Sequence, residues 1–393
     1  MSNPATGDQL ITGQAVESLQ ACPANPHVGR LCELALNGLV PMFNPEKQLF
    51  CFTRKRTPQG LVQQGLSRRY TIMALLGIRK CEAAGLSSSI NIAPVLEGLL
   101  EDTRAWINNL GDLGLLLWLC ALASPERLKE GHADLVREGA LERFSELHEG
   151  RTTELAWFLS GLAHAALAVP QEALDLGGLA FQAYEVLSQN QGESGIFRHL
   201  GKRTVAGILR GRLGSFADQV YPIYALTQFA QAFKVEAALE MARSCAEAIS
   251  RLQGPQGQWW WHYDSISGQI YGKYPVYSVH QHGMAPMALF AVGEATRLDF
   301  TKPIYNGLQW ITGKNELGCD LRDEAAGLVW RCVQHGNKFK RNLRTALALY
   351  GLGGDGQSLK GLGVNFECRP YELGWLLYSF AGRAGAASRR NHD

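Results

Sequence analysis

The residues best suited to chemistry cluster in the stretch Gln253–Phe290. Its aromatic and titratable side chains include Trp259, Trp260, Trp261, His262, Asp264, His280 and His282. Histidine transfers protons near neutral pH. An indole face can stack on the C–H surface of a sugar or stabilise a cation. We therefore expect this stretch to line a pocket, although three consecutive tryptophans cannot all face one way and at least one should pack structurally.

Further candidates stand at the starts of strongly apolar segments elsewhere in the chain. They carry carboxylate, guanidinium, phenol or amide groups: Arg69, Tyr70, Asp112, Glu154, Asp218, Tyr221, Gln281, Arg369, Tyr371 and Glu372. If these segments are helices, their first turns favour anions and developing negative charge. Carboxylates and histidines in that setting suit general acid–base catalysis.

Asp218 is the preferred catalytic carboxylate. A proline four residues later indicates that the helix proper begins after Asp218, which would leave its side chain projecting from the pocket lip. The other acids have competing structural roles. Asp112 could cap its helix, Glu154 could complement a helix dipole, and Glu372 could form an ion pair with Arg369 at i, i+3 spacing.

The two histidines of the motif His280-x-His282 raise the question of a metal site. In an extended segment they would point to opposite sides, so only one should reach the pocket. Two histidines without a firm third ligand are a weak metal signal. We therefore predict neither a metal nor a cofactor.

The elements that position these residues are predicted to be helices in two layers. Helices that are apolar on almost every side should be buried, and amphipathic helices should face water. The predicted inner helices are Ser67–Lys80, Asp112–Ala123, Thr152–Ala168, Phe216–Phe233, Gly283–Ala295 and Arg369–Ala381. The predicted outer helices are Val28–Val40, Ile92–Leu110, Leu135–His148, Pro170–Leu187, Val235–Leu252 and Lys302–Ile311. Because outer and inner helices alternate, six helical hairpins arranged as two concentric layers account for the pattern.

An internal repeat supports this arrangement. Gln191-x-x-x-Gly195-x-Phe197 matches Gln253-x-x-x-Gly257-x-Trp259. Asp218 follows the first copy by 21 residues and His282 follows the second by 23. Each of them precedes, by four residues, a proline at the start of an apolar helix.

The alternation and the Q-x-x-x-G-x-W/F turns resemble the α/α-toroid folds of six-hairpin glycosidases, sugar epimerases, terpenoid cyclases and prenyltransferase β-subunits. The resemblance implies an all-α (α/α)6 toroid with its site at the end where the inner helices begin. Four long connections, 41–66, 188–215, 253–282 and 312–368, fall at that end, and loops of such length are often functional. We expect a single toroid domain over residues 26–382, with a lead at 1–25 and a flexible tail at 383–393.

Composition limits the partners and the cellular location to be expected of the protein. The chain has 393 residues and a net charge of +2, so no overall field favours nucleic acid. Its nine cysteines form no C-x-x-C pair, which is typical of reduced thiols. There is no signal-like N-terminus or apolar run long enough to span a membrane. These features predict a cytoplasmic protein.

The leading functional hypothesis is a carbohydrate-active enzyme that binds a small-molecule or oligosaccharide substrate. For glycoside hydrolysis, Asp218 with Asp112 or Glu154 would be acid and base. For sugar epimerisation, His282 with His280 or Glu372 would exchange a proton. Tyr70, Arg69 and Arg369 would bind hydroxyls or a carboxylate in either case.

Two other hypotheses remain open. A terpenoid-cyclase-like enzyme of a hydrophobic substrate would explain the aromatic residues and the Q-x-x-x-G-x-W turns. The aspartate motifs D-x-D-D and D-D-x-x-D of such cyclases are absent from the sequence. The third hypothesis is a non-catalytic toroid that serves as a binding protein or scaffold.

Overall fold

The chain folds into helices that alternate between two layers around a common axis. The computed structural model describes residues 26–101, 103–128, 151–169, 176–200, 211–336 and 359–388. Within these ranges the helices are α1 (Pro26–Leu39), α2 (Arg68–Ala83), α3 (Ile92–Leu100), α4 (Thr103–Trp106), α5 (Leu110–Ala123), α6 (Thr152–Ala168), α7 (Gly177–Ser188), α8 (Ala217–Phe233), α9 (Glu236–Arg251), α10 (Ala285–Thr296), α11 (Thr301–Ile311) and α12 (Pro370–Ser388). A π-helical turn, His280–Met284, leads directly into α10.

The inner layer is a closed ring. Helix α2 packs against α5, α5 against α6, α6 against α8, α8 against α10, and α10 with its π-helical turn against α12, which returns to α2. Outside the ring, α1 lies on α12, α3 contacts α2 and α5, and α7 contacts α6 and α8. Helix α9 contacts α8 and α10, and α11 packs on the π-helical turn. The predicted (α/α)6 toroid is therefore confirmed.

Local signals explain where several inner helices begin. Ser67 caps α2 by accepting a hydrogen bond from the Tyr70 backbone N–H at 3.2 Å. Asn109 caps α5 in the same way, with the Asp112 N–H at 3.0 Å. Asp112 thus occupies the first turn and is not the cap.

Some predicted boundaries differ from the structure. The pattern of Ile92–Leu110 predicts one helix, but α3 ends at Leu100 and a short α4 follows. Helix α8 begins at Ala217 and contains Pro222, so the prediction that it starts after Asp218 is wrong. Helix α12 extends to Ser388, into the predicted flexible tail. The predicted helix Leu135–His148 lies outside the described residues, as do residues 170–175 of the predicted Pro170–Leu187.

The long connections fold into small antiparallel sheets at the end where the inner helices begin. The strands are β1 (Phe43–Asn44), β2 (Leu49–Thr57), β3 (Gly60–Leu66), β4 (Leu213–Ser215), β5 (His262–Asp264), β6 (Ile270–Gly272), β7 (Val276–Tyr277), β8 (Arg322–Asp323), β9 (Leu328–Val329), β10 (Cys332–His335), β11 (Leu362–Asn365) and β12 (Glu367–Cys368). β12 pairs with β2, β5 with β4, and β10 with β7. These pairings join loops that are distant in sequence and so fix the residues they carry.

No helix within the described ranges combines the length and the apolar character needed to cross a bilayer.

Glycines let neighbouring inner helices approach until their backbones touch. A Cβ atom on Gly114 of α5 would lie less than 3.0 Å from backbone atoms of Trp157 and Phe158 in α6, and one on Gly161 of α6 would collide with the Gly114 carbonyl. Gly77 of α2 and Gly374 of α12 make a similar close contact, because a Cβ on Gly77 would meet the Gly374 carbonyl. The small radius of the ring depends on these contacts.

Replacing Gly114 by alanine should destabilise the protein, because the methyl group has no space between α5 and α6. We expect Gly114→Ala to lower the free energy of unfolding by about 3 kcal/mol, the upper range for overpacking. The matched control is Gly98→Ala in α3, where a Cβ meets nothing within 4 Å. That change should raise stability by about 0.5–1 kcal/mol through helix propensity. Urea denaturation measures both, and equal effects at the two sites would contradict the close-packing account.

Candidate active site

A cavity of about 210 Å³ lies at the end of the ring where the inner helices begin. Inner helices and the long connections supply its lining residues: Arg69, Tyr70, Met73, Thr153, Trp157, Ala217, Tyr221, Trp261, Tyr277, His280, Met284, Arg331 and Tyr371. Among these are the predicted binding residues Arg69, Tyr70, Tyr221 and Tyr371 and the predicted catalytic residue His280. The cavity therefore brings together five of the residues predicted from sequence to act in catalysis or binding.

Aromatic rings form much of the cavity wall. The Trp261 indole is nearly parallel to the His280 ring, with centroids 5.9 Å apart and 9° between the planes. The Trp157 ring meets Tyr221 edge to face at 5.1 Å. The Tyr221 hydroxyl accepts a hydrogen bond from Trp375 Nε1 at 2.9 Å, which anchors this wall to the core. Such faces can stack on a sugar ring.

Arg69 and Asp112 form a bidentate ion pair at one side of the cavity. Arg69 Nε lies 2.6 Å from Asp112 Oδ1, and Nη2 lies 3.0 Å from Oδ2. The Asn109 amide donates a further hydrogen bond to Asp112 at 2.9 Å. The same pair borders an adjoining cleft of about 340 Å³, which shares Arg69 and Tyr70 with the cavity. Arg69 also lies 5.5 Å from the centre of the Trp157 ring.

A second guanidinium, Arg331, enters the cavity from the connection before α12. It forms a short ion pair with the buried carboxylate Glu372 and lies 5.0 Å from the centre of the Tyr277 ring. Burial alone would lower the pKa of Arg331, but Glu372 and neighbouring phenols raise it, so Arg331 stays charged. Burial raises the pKa of Glu372, and the Arg331 guanidinium opposes that shift.

The predicted ion pair between Arg369 and Glu372 is replaced by other contacts. The contact of Glu372 with Arg369 is to the backbone N–H, at 3.0 Å, and it caps the start of α12. The Arg369 side chain instead pairs with Glu367 at 2.6 Å and donates to the Tyr70 hydroxyl at 2.8 Å. Arg369 therefore supports the cavity wall through Tyr70.

Asp218 is fully buried beside the cavity and does not project from its lip, so that part of the prediction is wrong. Its two oxygens lie 3.0 and 3.1 Å from His199 Nδ1, and they accept hydrogen bonds from Thr153 Oγ1 at 2.8 Å and from the N–H and hydroxyl of Ser215 at 2.8 and 2.7 Å. Burial alone would raise the pKa of Asp218, but the contacts with His199 and Ser215 outweigh it and lower the pKa. Asp218 is thus an ionised group that orients Thr153 and His199.

Glu154 follows Thr153 in the first turn of α6. Its side chain is 26% exposed, and its ion pair with Arg151 is long, at 3.4 Å. Its charge contributes to the raised pKa of Arg69, which places the carboxylate within electrostatic reach of the cavity. Unlike the carboxylates of Asp112, Glu372 and Asp218, it is not saturated with donors from the described residues.

The predicted repeat is a structural repeat. Gln191 donates to the Gly195 carbonyl at 3.0 Å, and Gln253 donates to the Gly257 carbonyl at 3.2 Å. A second pair of glutamines is also equivalent. Gln219 accepts a hydrogen bond from the Phe197 N–H at 2.8 Å, and Gln281 accepts one from the Trp259 N–H at 3.3 Å. These bonds fasten each loop to the helix that follows it.

The glutamine contacts align the two copies of the repeat differently from the sequence comparison, which matched Asp218 with His282. Because Gln219 matches Gln281, Asp218 corresponds to His280 and not to His282. The two histidines lie in a π-helical turn, so the predicted extended lead-in is wrong. His280 lines the cavity, whereas His282 is fully buried.

Several predicted binding residues are packed away from the cavity. Trp259 is fully buried and stacks on Phe216, with ring centroids 5.4 Å apart. Trp260 is 5% exposed and its backbone N–H donates to the Tyr263 hydroxyl at 3.1 Å. The Gln281 side chain accepts the hydrogen bond from the Trp259 N–H described above. Of the three consecutive tryptophans, only Trp261 is among the cavity-lining residues.

His262 and Asp264, also predicted to bind substrate, belong to strand β5. His262 pairs with Ser215 and Gly272 of the neighbouring strands. Asp264 is buried, forms an ion pair with Arg212 and accepts the backbone N–H of Ile266 at 2.9 Å. Both residues stabilise the small sheet that carries Trp261 to the cavity.

Sequence reasoning missed Trp157, Tyr277, His199 and Arg331. Trp157 had a usable signal, because it lies one helical turn after Thr153 and therefore on the same face of α6. No sequence signal pointed to Arg331 or His199, because both lie in long connections whose paths depend on tertiary contacts. Among the described side chains, no group of three His, Cys, Asp or Glu residues is placed to hold a metal ion.

Comparison with known proteins identifies the fold. No family model matches the sequence, and no curated protein matches it. Solved structures do match. A heparin-specific unsaturated glucuronyl hydrolase superposes with a TM-score of 0.56 at 12% identity, covering 92% of this chain and 98% of that one. An unsaturated glucuronyl hydrolase from Bacillus sp. GL1 superposes with a TM-score of 0.55 at 12% identity, and the match covers 90% of this chain and 94% of that one.

A mutant unsaturated glucuronyl hydrolase from Streptococcus agalactiae, complexed with dGlcA-GalNAc6S, gives a TM-score of 0.58 at 11% identity. The match covers 96% of this chain and 98% of that one. These proteins are (α/α)6 toroid six-hairpin glycosidases. At such low identity the likeness establishes that this chain shares their fold.

Acid should destabilise the protein through its buried histidines. Burial lowers the pKa of His164, His280 and His282 to about 3, so they fold as neutral rings. Because each folded-state pKa lies below the unfolded value near 6.5, this stability is present above pH 6.5 and is lost as the pH falls toward 3. Between pH 7.5 and 5.5, each histidine should cost about 1.4 kcal/mol of unfolding free energy.

Urea denaturation at the two pH values measures this effect. His282→Gln removes one titrating group and should reduce the pH dependence by about a third of the histidine contribution. Replacement of Gln59, an exposed side chain that does not titrate, should leave the dependence unchanged. A flat pH profile in the unsubstituted protein would contradict the assignment of neutral buried rings.

Proposed function

We propose that the protein is a glycoside hydrolase that acts on an oligosaccharide with a terminal acidic sugar. The observation that carries the proposal is the cavity itself, in which Arg69 and Arg331 stand among stacking aromatic rings at the N-terminal ends of the inner helices. The fold likeness supports it, because the similar structures are named as unsaturated glucuronyl hydrolases.

The two arginines suit recognition of a sugar carboxylate. A guanidinium has five N–H donors. Hydrogen bonds to described residues use only some of the donors of Arg69 and Arg331. Arginine binds carboxylates through paired, charge-assisted hydrogen bonds. The positive ends of the helix dipoles add to the attraction for an anion. Trp157 and Trp261 would stack on the sugar ring while its carboxylate is held.

Glu154 is the carboxylate that we assign to proton transfer. Proton transfer requires an oxygen that is open to substrate. Glu154 follows the cavity-lining residue Thr153 in α6, is partly exposed, and makes a long ion pair with Arg151. It would protonate the leaving-group oxygen as the glycosidic bond breaks, and its carboxylate would then take a proton from the water that forms the new bond to the sugar carbon.

Asp112 and Asp218 then act mainly through other residues. Asp112 holds the Arg69 guanidinium in a fixed orientation through two hydrogen bonds. Asp218 fixes Thr153 at the start of α6 and orients His199. This changes the roles expected from sequence, since Asp218 becomes a positioning residue and Glu154 the acid–base group.

The other hypotheses receive less support from the site. Epimerisation through His280 and His282 requires both rings to face one sugar, but His282 is fully buried. A cyclase of hydrophobic substrates needs an apolar cavity, whereas guanidinium groups line this one. A scaffold would not need the partly exposed Glu154 beside an open cavity.

Glu154→Gln should abolish most of the catalytic rate while leaving binding intact. We expect kcat on an unsaturated glucuronyl disaccharide to fall by about 10²–10⁴-fold, the usual contribution of a general acid–base group. Release of the second sugar, measured by its new reducing end, follows the reaction. Glu236→Gln, in the first turn of the outer helix α9, is the matched control and should be silent.

Full activity in Glu154→Gln would remove Glu154 from catalysis. If the unsubstituted protein cleaves neither acidic nor neutral disaccharides, the hydrolase proposal itself fails.

Arg69→Lys should weaken discrimination in favour of the acidic sugar, because an ammonium cannot reproduce the bidentate fork. The unsubstituted protein should prefer the uronate over its methyl ester, and we expect the ratio of kcat/KM values to shrink about tenfold in the variant. Arg243→Lys on the surface of α9 is the control. An unchanged ratio in Arg69→Lys would contradict carboxylate recognition at this residue.

A further inference from the structure

A second cavity, of about 260 Å³, lies at the opposite end of the ring, where the inner helices end. We call it the distal cavity. Its lining includes Lys80 of α2, His164 of α6, Tyr224 of α8, Glu294 of α10, and Tyr378 and Arg383 of α12. None of its lining residues belongs to the candidate active-site cavity. Its volume is slightly below the roughly 300 Å³ at which the range for drug-sized ligands begins, so it suits a smaller molecule.

An aromatic layer separates the two cavities. The Trp118 ring is fully buried on the axis and stacks on Tyr224, with centroids 4.9 Å apart. Trp375 lies beside it, with centroids 5.5 Å apart, and bonds Tyr221 in the wall of the active-site cavity. A ligand in the distal cavity would therefore bind independently of the reaction.

A chain of buried hydroxyl and imidazole groups faces the distal cavity. The Tyr224 hydroxyl lies 2.8 Å from His164 Nε2 and 2.6 Å from the Tyr378 hydroxyl. A phenol oxygen has one donor and two acceptor positions, so Tyr378 keeps capacity for a ligand hydroxyl. Burial lowers the pKa of His164 to about 3, so the imidazole is neutral and adds no charge.

Lys80 contributes to the distal cavity a positive charge that forms no ion pair within the described ranges. Its ammonium lies 5.0 Å from the centre of the Tyr378 ring, and no described residue accepts a hydrogen bond from it. Arg383, by contrast, is paired with Glu294 and lies over the Phe290 ring at 3.6 Å. The charged groups of the lining, Lys80, Arg383 and Glu294, thus sum to +1. Burial lowers the pKa of Lys80, and the charge of Glu294 only partly opposes that shift.

We propose that the distal cavity binds a small organic monoanion that carries hydroxyl groups, such as an acidic monosaccharide. Its carboxylate pairs with Lys80, and its hydroxyls bond Tyr378 and the glutamines of α8, Gln228 and Gln231. Phe290 and Met287 supply the apolar contact. The site is separate from catalysis and does not depend on the proposed reaction.

Methionine methyl NMR distinguishes the two cavities, because Met287 lines the distal cavity and Met284 lines the active-site cavity. The full chain, labelled at methionine methyl groups, is titrated with sodium glucuronate. We expect a saturable shift of the Met287 signal, a loss of at least tenfold in affinity in Lys80→Met, and retained binding in Lys80→Arg. Glucose, which is similar in size and uncharged, should bind at least tenfold more weakly.

Two controls make the result specific. Arg69→Met should leave the Met287 titration unchanged, and so should Lys47→Met, which replaces an exposed lysine. Thermal melting of Lys80→Met establishes that the variant is folded. A Met287 signal that does not shift at saturating glucuronate, or that titrates equally in Lys80→Met, would overturn the distal site. A shift confined to Met284 would also overturn it while supporting acidic-sugar binding at the active-site cavity.

Discussion

The architecture depends on how closely the inner helices approach one another. Gly114 and Gly161 bring α5 and α6 into backbone contact, and Gly77 and Gly374 do the same for α2 and α12. The resulting ring is narrow enough for the Trp118 and Trp375 indoles to fill its centre. Among the described residues, one cavity lies at each end of the axis. One end gathers helix N-termini and long loops, and the other gathers helix C-termini.

Charge pairing determines the chemistry available at the N-terminal end. A buried charge is tolerated when a partner and hydrogen bonds compensate it. Asp112 therefore binds Arg69, Glu372 binds Arg331, and Asp218 is surrounded by donors. These pairs hold guanidinium groups at the cavity surface in a fixed orientation. Glu154 is bound less tightly, which is why we propose it as the carboxylate that exchanges protons with a substrate.

The helical layers were predictable because burial constrains composition directly. A helix such as Leu110–Ala123, surrounded by others, must be apolar on every side, and that pattern is legible in sequence. The Gln191 and Gln253 turns were also predictable, because each glutamine donates a hydrogen bond to a carbonyl of its own loop. The partners of Asp218 could not be predicted, since Thr153 reaches it from α6 and His199 from the middle of the long connection before α8. The choice among the three tryptophans also depended on the strand pairing of β5, which the aromatic run itself does not encode.

We propose above all that an acidic sugar binds between Arg69 and Arg331, with Glu154 beside its glycosidic bond. A crystal structure of Glu154→Gln soaked with an unsaturated glucuronyl disaccharide tests it most directly. We predict that the sugar carboxylate lies within hydrogen-bonding distance of at least one of the two guanidinium groups, and that the amide introduced by Glu154→Gln reaches the scissile region. A disaccharide bound with its carboxylate in solvent, or bound only outside this cavity, would contradict the claim.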